Sequence, residues 1–143
     1  MTATDFIYIS NMRWSTFQLD PRQWPWRFLR KRRVLFMEEP TMGVGINEPY
    51  LEITGSLLSP ADVTVARLVQ PLHEAWTDSY ESPTVQTIYS RLVADYLEKE
   101  KYKNPILWLS TPKGVAFAKS LQYGLLVYEW MVRPAQYEQQ MLG

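Results

Sequence analysis

Two apolar runs decide how this sequence folds: Phe6-Ile7-Tyr8-Ile9-Ser10, leading into Asn11-Met12-Arg13-Trp14, and Val34-Leu35-Phe36-Met37, leading into Glu38-Glu39-Pro40. Near-continuous apolar runs of this length are expected of strands covered on both faces in a parallel sheet. The residues between them, a polar loop and a short basic helix, are about as long as a βαβ crossover requires. Ligands of open α/β sheets sit beyond the carboxyl ends of the strands. Ser10–Trp14 and Glu38-Glu39 are therefore expected side by side on the functional edge.

Outward from this pair the chain alternates strands and helices. Asn11 to Pro21 reads as loop, and a helix is expected from Asp20-Pro21 to Lys31, with Asp20 as N-cap and Pro21 at the first position. Trp24, Phe28 and Leu29 form its apolar stripe. Thr41 to Pro49 reads as loop. Tyr50–Thr54 alternates as a half-exposed strand, and Val63–Leu72 supplies its hairpin partner, which joins the main sheet. Ser82-Pro83 opens a long helix with Val85, Ile88, Tyr89, Leu92, Tyr96 and Leu97 at helical spacing, ended by Asn104-Pro105. Ile106–Leu109 is a buried strand, Gly114–Leu121 a short helix and Leu125–Tyr128 the last strand. A helical tail is expected over residues 130–143. The expectation is one domain, residues 1–143: a three-layer Rossmann-like α/β fold with a mostly parallel sheet and one hairpin. Ile7, Ile9, Val34, Phe36, Ile106, Trp108 and Val127 should be buried in it.

Composition narrows the chemistry. With 46% hydrophobic and 21% charged residues, the chain is globular rather than disordered. It has no cysteine and one histidine, which removes disulfides, thiol catalysis and thiolate metal sites. No secretory leader or run of transmembrane length is visible, so a cytoplasmic location is expected. There is no Walker loop and no G-x-S-x-G elbow. Gly43-Val44-Gly45 is not a dinucleotide fingerprint, because it follows the second strand and opens no helix. No cofactor and no nucleic acid partner is implied.

Net charge is zero, yet Arg13 to Arg33 holds seven basic residues against one acid, Asp20. Two readings stand for Arg27, Arg30, Lys31, Arg32 and Arg33: a solvated helix face, or a patch for phosphates or the inner face of an anionic membrane.

Polar and aromatic residues gather at the predicted strand ends. Asn11, Arg13, Trp14 and Gln18 follow the first strand, Glu38-Glu39 the second, and His73 the hairpin. Ser110-Thr111 and Tyr128-Glu129 follow the last two. Such a rim offers hydrogen bonds for hydroxyls and aromatic faces for the C–H surface of a sugar. Arg13 with Trp14 carries the binding expectation. Ser110-Thr111-Pro112, Glu38-Glu39 and His73 read first as caps of strands or helices.

Three stretches carry a resemblance. Strand-Asn11-Met12-Arg13-Trp14 with Val34–Pro40 resembles the start of a group of bacterial GT-B glycosyltransferases. Asn104-Pro105-Ile106-Leu107-Trp108-Leu109-Ser110-Thr111-Pro112 resembles that group's Asn-Pro-x-x-Trp-x-x-Thr-Pro stretch, and Leu126–Met131 its Val-Tyr-Asp-x-Met-Asp segment. The resemblance implies the acceptor-side, N-terminal half of a two-domain enzyme that transfers sugar from a nucleotide sugar. Substrate-binding residues would be Asn11, Arg13, Trp14, Gln18, Glu39, Thr111 and Glu129. A donor-domain polypeptide and a glycan or lipid-linked sugar acceptor would be its partners. The chain departs from the pattern at Gln18–Gln23, where residues are added and Pro and Arg exchanged. It departs again at Val132, where the group has a second carboxylate, so no catalytic residue is assigned. The alternative is a non-catalytic module that binds a glycan, a phospholipid or a protein.

Overall fold

The structure is a computed structural model that describes residues 5–17, 32–56, 62–72 and 80–128. Seven strands form one sheet: β1 (Phe6–Ile9), β2 (Arg33–Met37), β3 (Thr41–Gly43), β4 (Tyr50–Ser56), β5 (Asp62–Pro71), β6 (Ile106–Leu109) and β7 (Leu125–Tyr128). The helices among the described residues are α1 (Trp14–Phe17), α2 (Pro83–Lys99) and α3 (Val115–Ala118), the last entered through a 3-10 turn at Pro112–Gly114. The sheet order is β3-β5-β2-β1-β6-β7, with β4 also on β5. All pairings are parallel except β4 with β5. The run β5-β2-β1-β6-β7 grows outward from β1 in both directions, which makes the domain a Rossmann-like α/β fold with the expected hairpin.

Strand β1 is central because all four of its residues are apolar and buried, as a doubly covered strand requires. Its two faces sort by parity. On one face Ile7, Ile9, Leu35, Met37, Leu107 and Leu109 meet Val85, Tyr89, Val93 and Leu97 of α2 and Phe117 and Ala118 of α3. On the other, Tyr8 stacks on Phe36 of β2 at 5.4 Å and on Trp108 of β6 at 6.4 Å. Trp14 of α1 meets Phe36 edge-on at 5.1 Å, so helical cover reaches this face too.

Helix α2 starts where its sequence signal lies, with the Ser82 hydroxyl accepting from Val85 N–H and Pro83 at the first position. Its end is tighter than expected, stopping at Lys99. Lys101 adopts a left-handed conformation with φ 59°, the N–H of Tyr102 reaches Leu97 O at 2.9 Å and that of Lys101 reaches Glu98 O at 3.1 Å. This is a Schellman closure with lysine in the position glycine usually takes. Tyr102 packs back on Tyr96, and Arg33 donates to the carbonyls of Glu100 and Lys101, which holds the strained turn.

Three further expectations are corrected. Trp14–Phe17 is one helical turn inside the stretch read as loop, and Thr41–Gly43 is a strand inside the loop read from 41 to 49. Strand β3 exists because β5 is ten residues long and outruns β2, whose pairing ends at Ala66, which leaves Val69–Pro71 to pair with it. Ile106, Trp108 and Val127 are half-buried rather than buried. β7 lies at the edge of the sheet, so Val127 has a neighbouring strand on one flank only, and Ile106 and Trp108 lie on the strand next to that edge. The expected helix from Asp20-Pro21 to Lys31 and the tail over 130–143 lie outside the described residues.

Gly114 lies where the β6–α3 connection crosses the sheet. A methyl group there would come 2.9 Å from Ile9 Cγ2 and 3.2 Å from Leu109 Cδ2, both in the core. Gly114→Ala is expected to destabilise the fold by about 1–3 kcal/mol, the usual cost of overpacking, measured by denaturant unfolding.

Candidate functional site

The strand order reverses at β1: β2 leaves on one side and β6 on the other. The crevice beyond the carboxyl ends of β1 and β6 is the topological switch point, where ligands of such sheets bind.

Glu38 is the element that orders this edge. It closes β2 and is only 5% exposed. One carboxylate oxygen accepts the backbone N–H of Trp14 at 2.6 Å, which fixes the start of α1. The other faces Arg13 Nη1 at 3.4 Å and Arg67 Nη1 at 3.8 Å. Arg67, on β5, continues to Glu52 on β4. A burial of this depth requires such partners, since an unpaired buried carboxylate is costly. Arg13 also donates to the carbonyl of Glu39 at 2.7 Å. The Glu39 carboxylate in turn lies 3.5 Å from Lys113 Nζ, in the loop after β6. Loops from β1, β2 and β6 thus meet at Glu38-Glu39.

Beneath the charges lies a row of hydroxyls. Tyr89 donates toward the carbonyls of Glu38 and Ala66, at 2.7 and 3.0 Å, bridging β2 and β5. Tyr80 does the same for Ser10 and Met37, both at 2.9 Å, bridging β1 and β2. Ser110 Oγ reaches Ile9 O at 3.0 Å, bridging β6 and β1. Burial pushes both tyrosines well above their ordinary pKa. The next contributor for Tyr89 is the charge of Glu38, and for Tyr80 it is Tyr89 itself.

The structure distributes the expected substrate-binding residues unevenly. Asn11 is exposed at the end of β1, and Arg13 and Glu39 meet as described. Trp14 is buried, with its ring in the core against Phe36. Thr111 is buried and accepts from Lys113 N–H, capping the 3-10 turn. Gln18, Glu129 and His73 lie outside the described residues. Of the basic patch, Arg27, Arg30 and Lys31 also lie outside them. Arg33 pairs with Asp5 at 2.8 Å and stacks 3.8 Å over Tyr102, while the Arg32 guanidinium sits 5.4 Å from the Phe6 ring. Both arginines stand at the amino end of β2, the pole opposite the rim.

Sequence reasoning passed over Arg67, Lys113 and the two tyrosine hydroxyls. Arg67 sits at a polar position of an alternating strand, and nothing local reports its reach to Glu38. Among the described residues no group of three or more His, Asp or Glu could hold a metal ion. No helix among them is long and apolar enough to cross a membrane.

These features define the class: a Rossmann-like α/β domain whose switch-point rim is built from Glu38, Glu39, Arg13 and Lys113. No family model matches the chain, and no curated protein or solved structure does.

Two outcomes are expected from this geometry. Glu38→Ala removes the acceptor of a buried N–H and the partner of two guanidinium groups. It should cost about 2–3 kcal/mol, against less for Glu38→Gln, which keeps an oxygen for Trp14 N–H. Paired urea melts check this. The second outcome is pH dependence. Tyr80 and Tyr89 have folded-state pKa values above the unfolded value of about 10. Their stability contribution is therefore intact below about pH 10 and is lost as pH climbs toward the folded values, because the unfolded tyrosines ionise first. Tyr89→Phe should cost about 1–3 kcal/mol near neutral pH, where the Glu38 carbonyl loses its hydroxyl donor and the Ala66 carbonyl keeps only the Glu38 N–H, and should flatten the alkaline decline. Stability measured across alkaline pH, with tyrosinate absorbance as the titration signal, checks both parts.

Proposed function

We propose that the chain is the acceptor-side half of a GT-B-type glycosyltransferase: it binds a sugar-bearing acceptor at the switch-point rim and relies on a separate donor domain for the nucleotide sugar. The observation that carries this reading is the reversal of strand order at β1, with Asn11, Arg13, Glu39 and Lys113 on the loops around it. The motif resemblance in the same strand ends, Asn11–Trp14, Glu38–Pro40 and Ser110–Pro112, supports it. Hydrogen-bonding groups on three loops suit the hydroxyls of a glycan or lipid-linked sugar. Contact of Arg27, Arg30, Lys31, Arg32 and Arg33 with an anionic membrane surface belongs to the same proposal.

A second reading, a non-catalytic glycan-binding module, is favoured by one observation. The buried carboxylate at the rim, Glu38, has both oxygens engaged by Trp14, Arg13 and Arg67, which suits it to holding loops rather than moving protons. The two readings share the binding site and differ in whether a donor domain completes it.

Half a cleft does not hold donor and acceptor in register, so the isolated chain should show no transfer. Calorimetry should find nucleotide sugars binding no more tightly than about millimolar, near 4 kcal/mol. Acceptor-type glycans should bind the rim, and Arg13→Ala should abolish that signal while circular dichroism shows the fold retained. Micromolar binding of a nucleotide sugar would overturn the half-enzyme reading.

A further inference from the structure

The Glu39–Lys113 pair joins the loops after β2 and β6, the two strands that flank β1. It therefore spans the carboxyl end of β1, the place where a switch-point ligand must enter. The pair is long at 3.5 Å, and the Lys113 side chain is 41% exposed. An ion pair this open is weak and yields readily to a better anion. Lys113 also forms one wall of a depression of about 360 Å³, lined with Glu81, Gln86, Pro112, Val115, Ala116 and Lys119. That volume lies within the range of small-molecule sites. Its charged lining is two lysines against one glutamate, and Pro112, Val115 and Ala116 add an apolar surface beside them.

From this geometry we infer that Lys113 is the anion receptor of the rim: the ligand carries a phosphate that takes Lys113 from Glu39, while its sugar lies in the depression between α2 and the β6–α3 connection. The inference rests on the sugar-binding reading above and narrows it to a phosphorylated sugar. Glu39 acts as a built-in competitor. Its carboxylate holds Lys113 against neutral ligands, which gain nothing by displacing it, and gives way to a dianionic phosphate. Arg13 is not available in the same way, because Glu38 and the Glu39 carbonyl hold it from two directions. Lys119 supplies a second positive charge to the lining and favours a phosphate over a single carboxylate.

The test uses the full chain and three probes: glucose 1-phosphate, inorganic phosphate and glucose, titrated by calorimetry and by amide shifts of Lys113, Val115 and Ala116. Glucose 1-phosphate is expected to bind best and to weaken as salt rises. Lys113→Met should weaken it about tenfold, as loss of a charge-assisted contact does. Glu39→Gln should tighten it about two- to fivefold by removing the competitor, the scale of an exposed ion pair. A purely structural role for Glu39 predicts no such gain, so unchanged or weaker binding in Glu39→Gln overturns the inference. Glucose binding as well as glucose 1-phosphate, with Lys113→Met without effect, would sink the anion site and leave the sugar-binding rim standing. Inorganic phosphate alone binding at Lys113, with no added affinity from the sugar, would keep the anion receptor and remove the sugar from both readings. No binding of any probe would overturn both.

Discussion

Where this parallel sheet gives way to irregular loops, the last amides still reach Met37 O, Ala66 O and Ile9 O, but each keeps an open lone pair, and Ser10 O and Glu38 O lie past the ladder. Three hydroxyls resolve this, one at each junction: Tyr89 over β5 and β2, Tyr80 over β2 and β1, Ser110 over β1 and β6. Each tyrosine has a single proton to share between two carbonyls, one of which, Met37 O or Ala66 O, also accepts a backbone amide. Phe117 packs edge-on against the two rings, at 5.4 and 5.3 Å, which immobilises them. Because Tyr89 belongs to α2 and Phe117 to α3, the same contacts set the helices against the sheet. The rim loops therefore rest on a fixed floor.

The charges divide by pole. At the carboxyl edge Glu38 draws Arg13 and Arg67 onto the sheet, and Glu39 links to Lys113. At the amino edge Arg33 binds Asp5 and the carbonyls that end α2. The second cluster closes a helix and a strand end through short local contacts. The first runs through loops and ends on a weak, half-open pair, and that asymmetry marks the carboxyl edge as the place where chemistry with another molecule can occur.

The sheet was legible because its strands are apolar on both faces, and Ser82-Pro83 announced α2 by a local hydrogen bond. What the sequence concealed was either too short or too distant to leave a pattern. Thr41–Gly43 is three residues of strand with no period to read, and Trp14–Phe17 is a single turn started by a carboxylate 24 residues away in the chain. The half-burial of Ile106, Trp108 and Val127 follows from place in the sheet rather than from side-chain type. At the site, Arg13 and Glu39 announced themselves as polar residues at strand ends. The tyrosine hydroxyls did not, since Tyr89 occupies a core position of its helix and only the tertiary fold shows what its oxygen reaches.

The central strand is made before both of its partners and is completed late. Phe6 pairs with Val34 on one side but with Ile106 on the other, about a hundred residues further along the chain. During synthesis β1 and β2 can meet early, yet one flank of β1 stays an open apolar edge until β6 has left the ribosome. Such an edge is a template for pairing with other chains. Long-range closure of this kind also slows folding. The strand that anchors the finished domain is thus its greatest liability while the domain is being built, which gives a nascent-chain chaperone a defined interval in which to act.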